Sequence, residues 1–530
     1  MEDIMKLAIL TPTIAPLTSI GGLGDVMRDL PKFLKRNGND VIIITPDHNG
    51  KISNLPHAKT DKLKTKYKGI DFEFDVIITK HPTTNIDMVV FSNKDFNALD
   101  TWDPLKYDIF ADLVVSYLGK YPVDCVSGHD WACGLAIAKC HEKLNLPTTM
   151  TIHNEAFKGP IIEYKGLVMP FLELGIYFSD AFNTVSPTHA EEIKLIDYIH
   201  NQSKIKPYHG IINGIDFETF NSTTILNRMN TLCNNKLDPK KYAFTCDYGA
   251  EDANIIKPKI KYAWLADRGI SKYVEAWNGM DKQLISGTDV EIYGELNNKQ
   301  KERNVPLFGI VGRATHQKGF DITIEAFSEL FEEHDIQLVI LAKGDERIEK
   351  NLADFAESYN GNVMALIGHC MPLSSIIYAS SDWTITPSLW EPCGLVQMES
   401  MAHCTPVIAR EVGGLKDSII SLNPDILNNP NFHEATGILF KNYDKVGLMW
   451  AIGHALNWTY YRIEEVCMFL EYSHGNCPKS PYEKGSPLNN MMKNCYNHVF
   501  KNLSWQNNDS ADKYKALFGG AIYTHTYGKI

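Results

Sequence analysis

Long apolar runs are missing from this chain: no stretch approaches the roughly 20 residues that a membrane-spanning helix needs, so no such span is expected. Positive charge is also in short supply. The net charge is −12 over 530 residues, so neither nucleic acid nor an anionic membrane is expected as a partner. An anionic ligand would have to be held by a local cluster of Arg and Lys. Regular cysteine spacing is absent, since the eleven cysteines are odd in number and irregularly placed. This excludes a disulfide framework and points to free thiols in a reducing compartment. Cys125, Cys133 and Cys140 lie close together with only His129 and His141 nearby, and their apolar flanks favour packing over zinc. A leader is lacking as well. Met1-Glu-Asp-Ile-Met-Lys is acidic and runs directly into Leu7–Leu10, unlike a signal or transit peptide, so a cytoplasmic location is expected.

What is present is a chain 44% hydrophobic, long enough for two or more domains. Lys6–Leu10 reads as a strand, and a helix is expected from about Asp25 to Asn37, kinked or begun at Pro31. Further strands are expected at Val41–Thr45, Asp124–Val126, Thr148–Ile152, Ala181–Val185 and Gly210–Ile212. The pattern restarts at Pro306–Val311 and continues through Gln337–Leu341, Val363–Ile367, Trp383–Thr386 and Pro406–Ala409. Apolar strands alternating with helices indicate an α/β chain with parallel sheets covered on both faces. The economical reading is two doubly wound halves with ligands at the carboxyl ends of the strands. The domains read as 1–245, a hinge with an insertion over 246–304, 305–503 and a closing segment 504–530. Residues 463–502 read as a surface excursion.

Pro387-Ser-Leu-Trp-Glu-Pro-Cys-Gly-Leu-Val-Gln-Met-Glu399 is the most informative stretch. Leu395 to Ala402 reads as a helix, and Pro392, of a type favoured in a first turn, places Glu391 at or just before the helix start, facing the positive end of the dipole. Glu399 follows about two turns later, able to touch another part of one ligand; a helix-surface role is its alternative. Gly312-Arg-Ala-Thr-His-Gln-Lys-Gly319 reads as a loop between strand and helix that could fold Arg313 and Lys318 onto one anion. Gly21-Gly-Leu-Gly-Asp25 lacks the G-x-G-x-x-G spacing of a dinucleotide site, yet its glycines would let a phosphate or sugar approach the backbone. A plain tight turn reads equally well there. His129-Asp130-Trp131 and His153-Asn154 each follow a strand, where they could share hydrogen bonds to sugar hydroxyls or act as structural loop residues. Asn213-Gly-Ile-Asp216 looks like a turn at a strand end.

In this order, these segments resemble the bacterial glycogen synthase and plant starch synthase group, glycosyltransferase family 5. Thr436–Phe440 and a closing Ser504-Trp505…Ala511…Tyr514 extend the likeness across most of the chain. The resemblance implies a GT-B fold of two Rossmann-like domains facing across a cleft, with the last helix returning to the first domain. It also implies metal-independent, retaining transfer of glucose from ADP-glucose or UDP-glucose to the non-reducing end of an α-1,4-glucan, without a cofactor. By the same likeness, Arg313 and Lys318 hold the donor diphosphate, Glu391 lies beside the donor sugar, and His153 and Asp130 line the sugar pocket. Asp25 and the loop containing Gly21 and Gly22 close over the substrates. Cys393 and Gly394 offer backbone contacts, while Asn154, Asn213 and Glu399 complete the substrate-contacting set.

The chain departs from the family at Ser19, which stands where the family carries a lysine directed at the donor phosphates. Leu389-Trp390 replaces an Arg-Phe pair, and Tyr107-Asp-Ile-Phe110 is a degraded form of an Asn-x-x-Arg-Phe element. Two alternatives follow: a related transferase with another acceptor, or a non-catalytic glucan- or nucleotide-binding relative.

Overall fold

The computed structural model describes residues 4–18, 21–67, 70–220, 253–261, 269–279, 287–296, 305–422, 433–461, 463 and 478–528. The chain divides into two compact units, the first built on Met1–Asn213 and Asn508–Ile530, the second on Gly214–Lys282 and Gly287–Asn507. The division falls at Asn213, not near residue 245. Ile215 already exchanges backbone hydrogen bonds with Leu503 and Trp505, which ties it to the second unit.

The first unit contains β1 (Lys6–Leu10), β2 (Asp40–Pro46), β3 (His57–Tyr67), β4 (Ile70–Lys80), β5 (Asp87–Ser92), β6 (Cys125–His129), β7 (Thr148–Ile152), β8 (Ile161–Tyr164), β9 (Leu167–Pro170), β10 (Ala181–Thr184) and β11 (Tyr208–Gly210). Nine strands form one sheet in the order β11-β10-β7-β6-β1-β2-β5-β4-β3, and β8 and β9 form a separate hairpin. Strands β11 to β5 run parallel, whereas β4 and β3 are antiparallel. The central parallel strands are buried because both faces are covered; Leu7 to Leu10 and all of β6 and β7 are buried. The β3–β4 ribbon departs from the all-parallel expectation. It is charged, with Lys62 on β3 set 2.7 Å from Asp75 on β4, and its only continuous apolar run is the short Val76-Ile77-Ile78 of β4. The helix Gly22–Arg36 begins at the glycine loop itself and continues through Pro31 instead of starting there.

The second unit contains β12 (Glu291–Gly294), β13 (Leu307–Ala314), β14 (Gln337–Gly344), β15 (Val363–Ile367), β16 (Trp383–Thr386), β17 (Val407–Arg410) and β18 (Gly437–Phe440). Their order is β12-β15-β14-β13-β16-β17-β18, parallel except for β12 at the edge. Part of the stretch read as hinge and insertion is therefore structural. It supplies β12 and the helix Ala253–Lys261, whose Lys257 is buried. The surface excursion expected over 463–502 also fails in its later part. Pro487–His498 is a helix that buries Leu488, Met491, Met492 and Cys495, while 464–477 lie outside the described residues.

In each sheet the strand order reverses at one point. β1 is flanked by β2 and β6, and β13 by β14 and β16. Loops leaving the carboxyl ends of these strands form the ligand-binding edge of a doubly wound sheet.

Candidate functional site

In the second unit, adjacent parallel strands β13 and β16 deliver the two key loops to one edge. Arg313 is not in a loop. It lies on the extended end of β13, in register with Lys343 of β14, and is exposed with no ion-pair partner among the described residues. A short 3₁₀ turn, His316–Lys318, follows, and Gly319 turns the chain into the helix Phe320–Glu333 with φ 71°. Only glycine fits there. Besides the left-handed φ, an added Cβ would lie 2.3 Å from the Pro387 carbonyl oxygen at the end of β16. This close approach brings Lys318 to Glu391, with Nζ 2.5 Å from Oε2.

Glu391 is 6% exposed, and its Oε2 also accepts a 3.0 Å hydrogen bond from the Ser388 hydroxyl. The expected helix over Leu395–Ala402 is present, although Pro392 does not lie in its first turn. Gly394 makes a left-handed turn (φ 73°), and the helix runs Val396–Ala402 with Leu395 as its cap. Glu391 therefore precedes the helix by a full loop, and the carboxylate in the first turn is that of Glu399. Cys393 is buried and its carbonyl accepts from Gln397 Nε2 at 3.0 Å, as does that of Gly394 at 2.9 Å. The loop before Glu391 is held by groups that the sequence reading did not single out. Gln317 Nε2 donates to the Trp390 carbonyl (2.8 Å), the Leu389 N–H donates to the Gln317 carbonyl (2.8 Å), and Arg410 Nη1 donates to the Leu389 carbonyl. Only the position of Arg410 at the end of β17 hinted at this.

In the first unit, His129 and His153 follow β6 and β7, with His129 Nδ1 2.9 Å from His153 Nε2. Burial pushes His153 down to about 3, and His129 falls well below its ordinary value through burial and the neighbouring imidazole. Both rings are neutral near pH 7. A Ser127 hydroxyl donating to His129 Nε2 (3.3 Å apart) leaves His129 Nδ1–H to donate to His153, whose own Nδ1–H is then a donor for a ligand. Asp130 fixes the histidine loop through one of its carboxylate oxygens: Oδ1 accepts from the backbone N–H of His153 (2.7 Å) and Asn154 (3.2 Å). Burial pushes Asp130 up to about 7 against those two donors. Asn154 is occupied locally, accepting from the Ala156 N–H at 3.0 Å. Beside it lies an unforeseen pair: Glu155 Oε2 sits 2.9 Å from buried His189, which also contacts Thr184 Oγ1 at 2.7 Å.

Gly21, in the left-handed region (φ 74°), and Gly22 are exposed at the mouth of the first helix. Asp25 in its first turn pairs with Arg28 at 2.9 Å, while Ser19 lies outside the described residues. Asn213 is only 2% exposed, and its Oδ1 accepts from the Tyr514 hydroxyl at 3.4 Å, an interior contact with the C-terminal helix. The seven cysteines among the described residues are all buried free thiols. No helix among the described residues is long and apolar enough to cross a membrane.

Comparison with known proteins places these loops in context. Residues 6–203 match the family model of the starch synthase catalytic domain, and residues 289–457 that of glycosyl transferases group 1. The chain is 58% identical over 522 residues to the probable glycogen synthase of Methanocaldococcus jannaschii, covering 98% of this chain and 99% of that one. It is 29% identical to the glycogen synthase of Thermotoga petrophila, covering 86% and 92% respectively. Among solved structures, the catalytic domain of starch synthase IV from Arabidopsis thaliana, bound to ADP and acarbose, superposes with a TM-score of 0.74 at 21% identity, covering 98% of this chain and all of that one. Sucrose-phosphate synthase from Thermosynechococcus elongatus follows at 0.57 and 16%, covering 97% of this chain and 98% of that one. The architecture is GT-B.

Proposed function

Because the chain belongs to the glycogen and starch synthase family of glycosyltransferases, we propose that it lengthens an α-1,4-glucan, moving glucose from ADP-glucose or UDP-glucose to the non-reducing end with retention of configuration. The observation that carries this reading is the Lys318–Glu391 pair at the carboxyl ends of β13 and β16, with the exposed Arg313 at the same end of β13.

As the bond from the anomeric carbon to the diphosphate breaks, negative charge grows on the diphosphate. Arg313 and Lys318 supply fixed positive charge to it, the stabilisation that governs such a step, so the proposal requires neither a metal nor a cofactor. The Lys318 ammonium has three N–H donors and can keep Glu391 while reaching a phosphate oxygen. With Oε2 engaged by Lys318 and Ser388, the second oxygen of Glu391 remains for the donor sugar. The left-handed turn at Gly394 brings backbone close to a bound sugar at the same edge, and Glu399 stands one helical turn further on, suited to a ribose hydroxyl. In the first unit, the neutral His153 is suited to donate to a sugar hydroxyl and Asp130 holds its loop. The Gly21–Gly22 mouth and Asp25 are assigned to substrate closure.

The test is incubation with labelled ADP-glucose or UDP-glucose and glycogen. Incorporation into glycogen is expected. Hydrolysis of the donor without incorporation would point to another acceptor, and nucleotide binding without turnover would overturn the enzymatic reading.

A further inference from the structure

Outside the transferase site, three potential metal ligands converge on the opposite edge of the first sheet. One ligand atom each from His141, Asp180 and His525 lies within 4.8 Å of the others. They come from three separate elements: His141 from the last turns of the helix Trp131–Leu144, Asp180 from the residue before β10, and His525 from the C-terminal helix Ser510–Tyr527. Asp180 Oδ1 is 3.2 Å from His525 Nδ1, and Oδ2 is 3.6 Å from His141 Nδ1. Ligands around a tetrahedral zinc ion, each about 2.0–2.1 Å from the metal, stand about 3.3 Å apart, and each histidine faces one oxygen of the Asp180 carboxylate at a comparable distance.

Three further observations favour a cation over packing alone. His141 Nδ1 is sealed from solvent and has no hydrogen-bond partner among the described residues, because 3.6 Å to the carboxylate is too long. His525 Nε2 lies 3.1 Å from the Asn145 carbonyl; donating there, it leaves the Nδ1 lone pair facing the cluster, the outer-shell arrangement that orients a ligating histidine. Asp180 Oδ2 accepts the Thr148 N–H at 2.8 Å, so the carboxylate is itself oriented towards the two histidines.

We propose that His141, Asp180 and His525 form a zinc site that clips the C-terminal helix to the first unit. Two imidazoles and one carboxylate, completed by water, suit Zn²⁺. Thr148 opens β7 and His153 follows its far end, so the length of a five-residue strand, about 17 Å, separates the clip from the histidines of the candidate site. The clip has a structural role and takes no part in glucose transfer.

The experiment uses the full chain stripped with chelator and reloaded with Zn²⁺ or Co²⁺. About one equivalent per chain should bind and raise the thermal midpoint. Co²⁺ should give visible bands of a tetrahedral nitrogen–oxygen site, without the thiolate charge-transfer band that the cysteines would produce. His525→Gln and His141→Gln should each lose the bound metal and the thermal gain, while their metal-free midpoints stay near that of the metal-free parent. Failure to bind, equal binding by both variants, or a thiolate band would overturn the proposal. If His525→Gln lowers the metal-free midpoint and the parent binds no metal, the cluster is only a histidine–aspartate ion pair.

Discussion

Glu391 acts at a place where small displacements matter, because its carboxylate is held by one cation and one hydroxyl at hydrogen-bond distance. Replacing Glu391 with Ala should lower kcat by roughly two to three decades, the usual effect of deleting one preorganised polar group, while donor affinity changes much less. Steady-state kinetics with donor binding by calorimetry would check this, and near-normal kcat would refute the role. Lys318→Ala should weaken both, since it removes the cation proposed for the donor phosphates and leaves Glu391 without its ion-pair partner. Lys318 and Glu391 were legible in the sequence because residue type and position at a strand end carry the chemistry. Gln317 and Arg410 were not, because each acts on a segment brought near only by the sheet, and Ser388 was not, because its contact with Glu391 three residues on depends on the turn of the loop. Asp130 could be singled out from the sequence, but its hydrogen bonds to the backbone of His153 and Asn154 could not, because sequence does not display backbone contacts.

At the level of elements, the readable strands are those covered on both faces. β7, β15 and β16 coincide with the expected Thr148–Ile152, Val363–Ile367 and Trp383–Thr386. The β3–β4 ribbon escaped notice because charged residues interleave with its apolar ones, and Pro392 was read as a first-turn proline of the Leu395–Ala402 helix when the turn into it is made by Gly394. Gly319 tests the joint between elements. Gly319→Ala puts a Cβ into the Pro387 carbonyl at a left-handed residue, so it should cost about 1–3 kcal/mol and lower activity by separating Lys318 from Glu391. Lys257 tests another joint. Its buried ammonium donates to the carbonyls of Tyr378, Ala379 and His403 and to Thr405 Oγ1, so it satisfies the ends of two helices at once. Lys257→Met should therefore cost about 3 kcal/mol of stability, read as a lower urea midpoint, because several buried acceptors lose a charged donor together.

For the molecule as a whole, acid is the informative perturbation, since both units bury neutral histidines. Burial lowers His48 and His81 in the first unit and His403 in the second to about 4. Between about pH 6.5 and 4 the unfolded chain takes up protons at these positions that the folded chain refuses, so stability rises with pH and is lost on acidification, by up to about 1.4 kcal/mol per pH unit for each histidine. Asp130, pushed up to about 7, works in the opposite sense, its stability being lost as pH rises towards 7. It is offset by His153, lowered to about 3 in the same loop assembly. Lys106 and Lys257, each lowered to about 8, change protonation above that pH and leave the acid limb alone. The balance favours the histidines. Urea midpoints should be nearly flat from pH 7 to 6.5 and then fall steeply towards pH 4 for both units. His403→Gln should flatten the fall only in the transition of the second unit, and midpoints that hold steady down to pH 4 would show that these histidines accept protons without unfolding the chain.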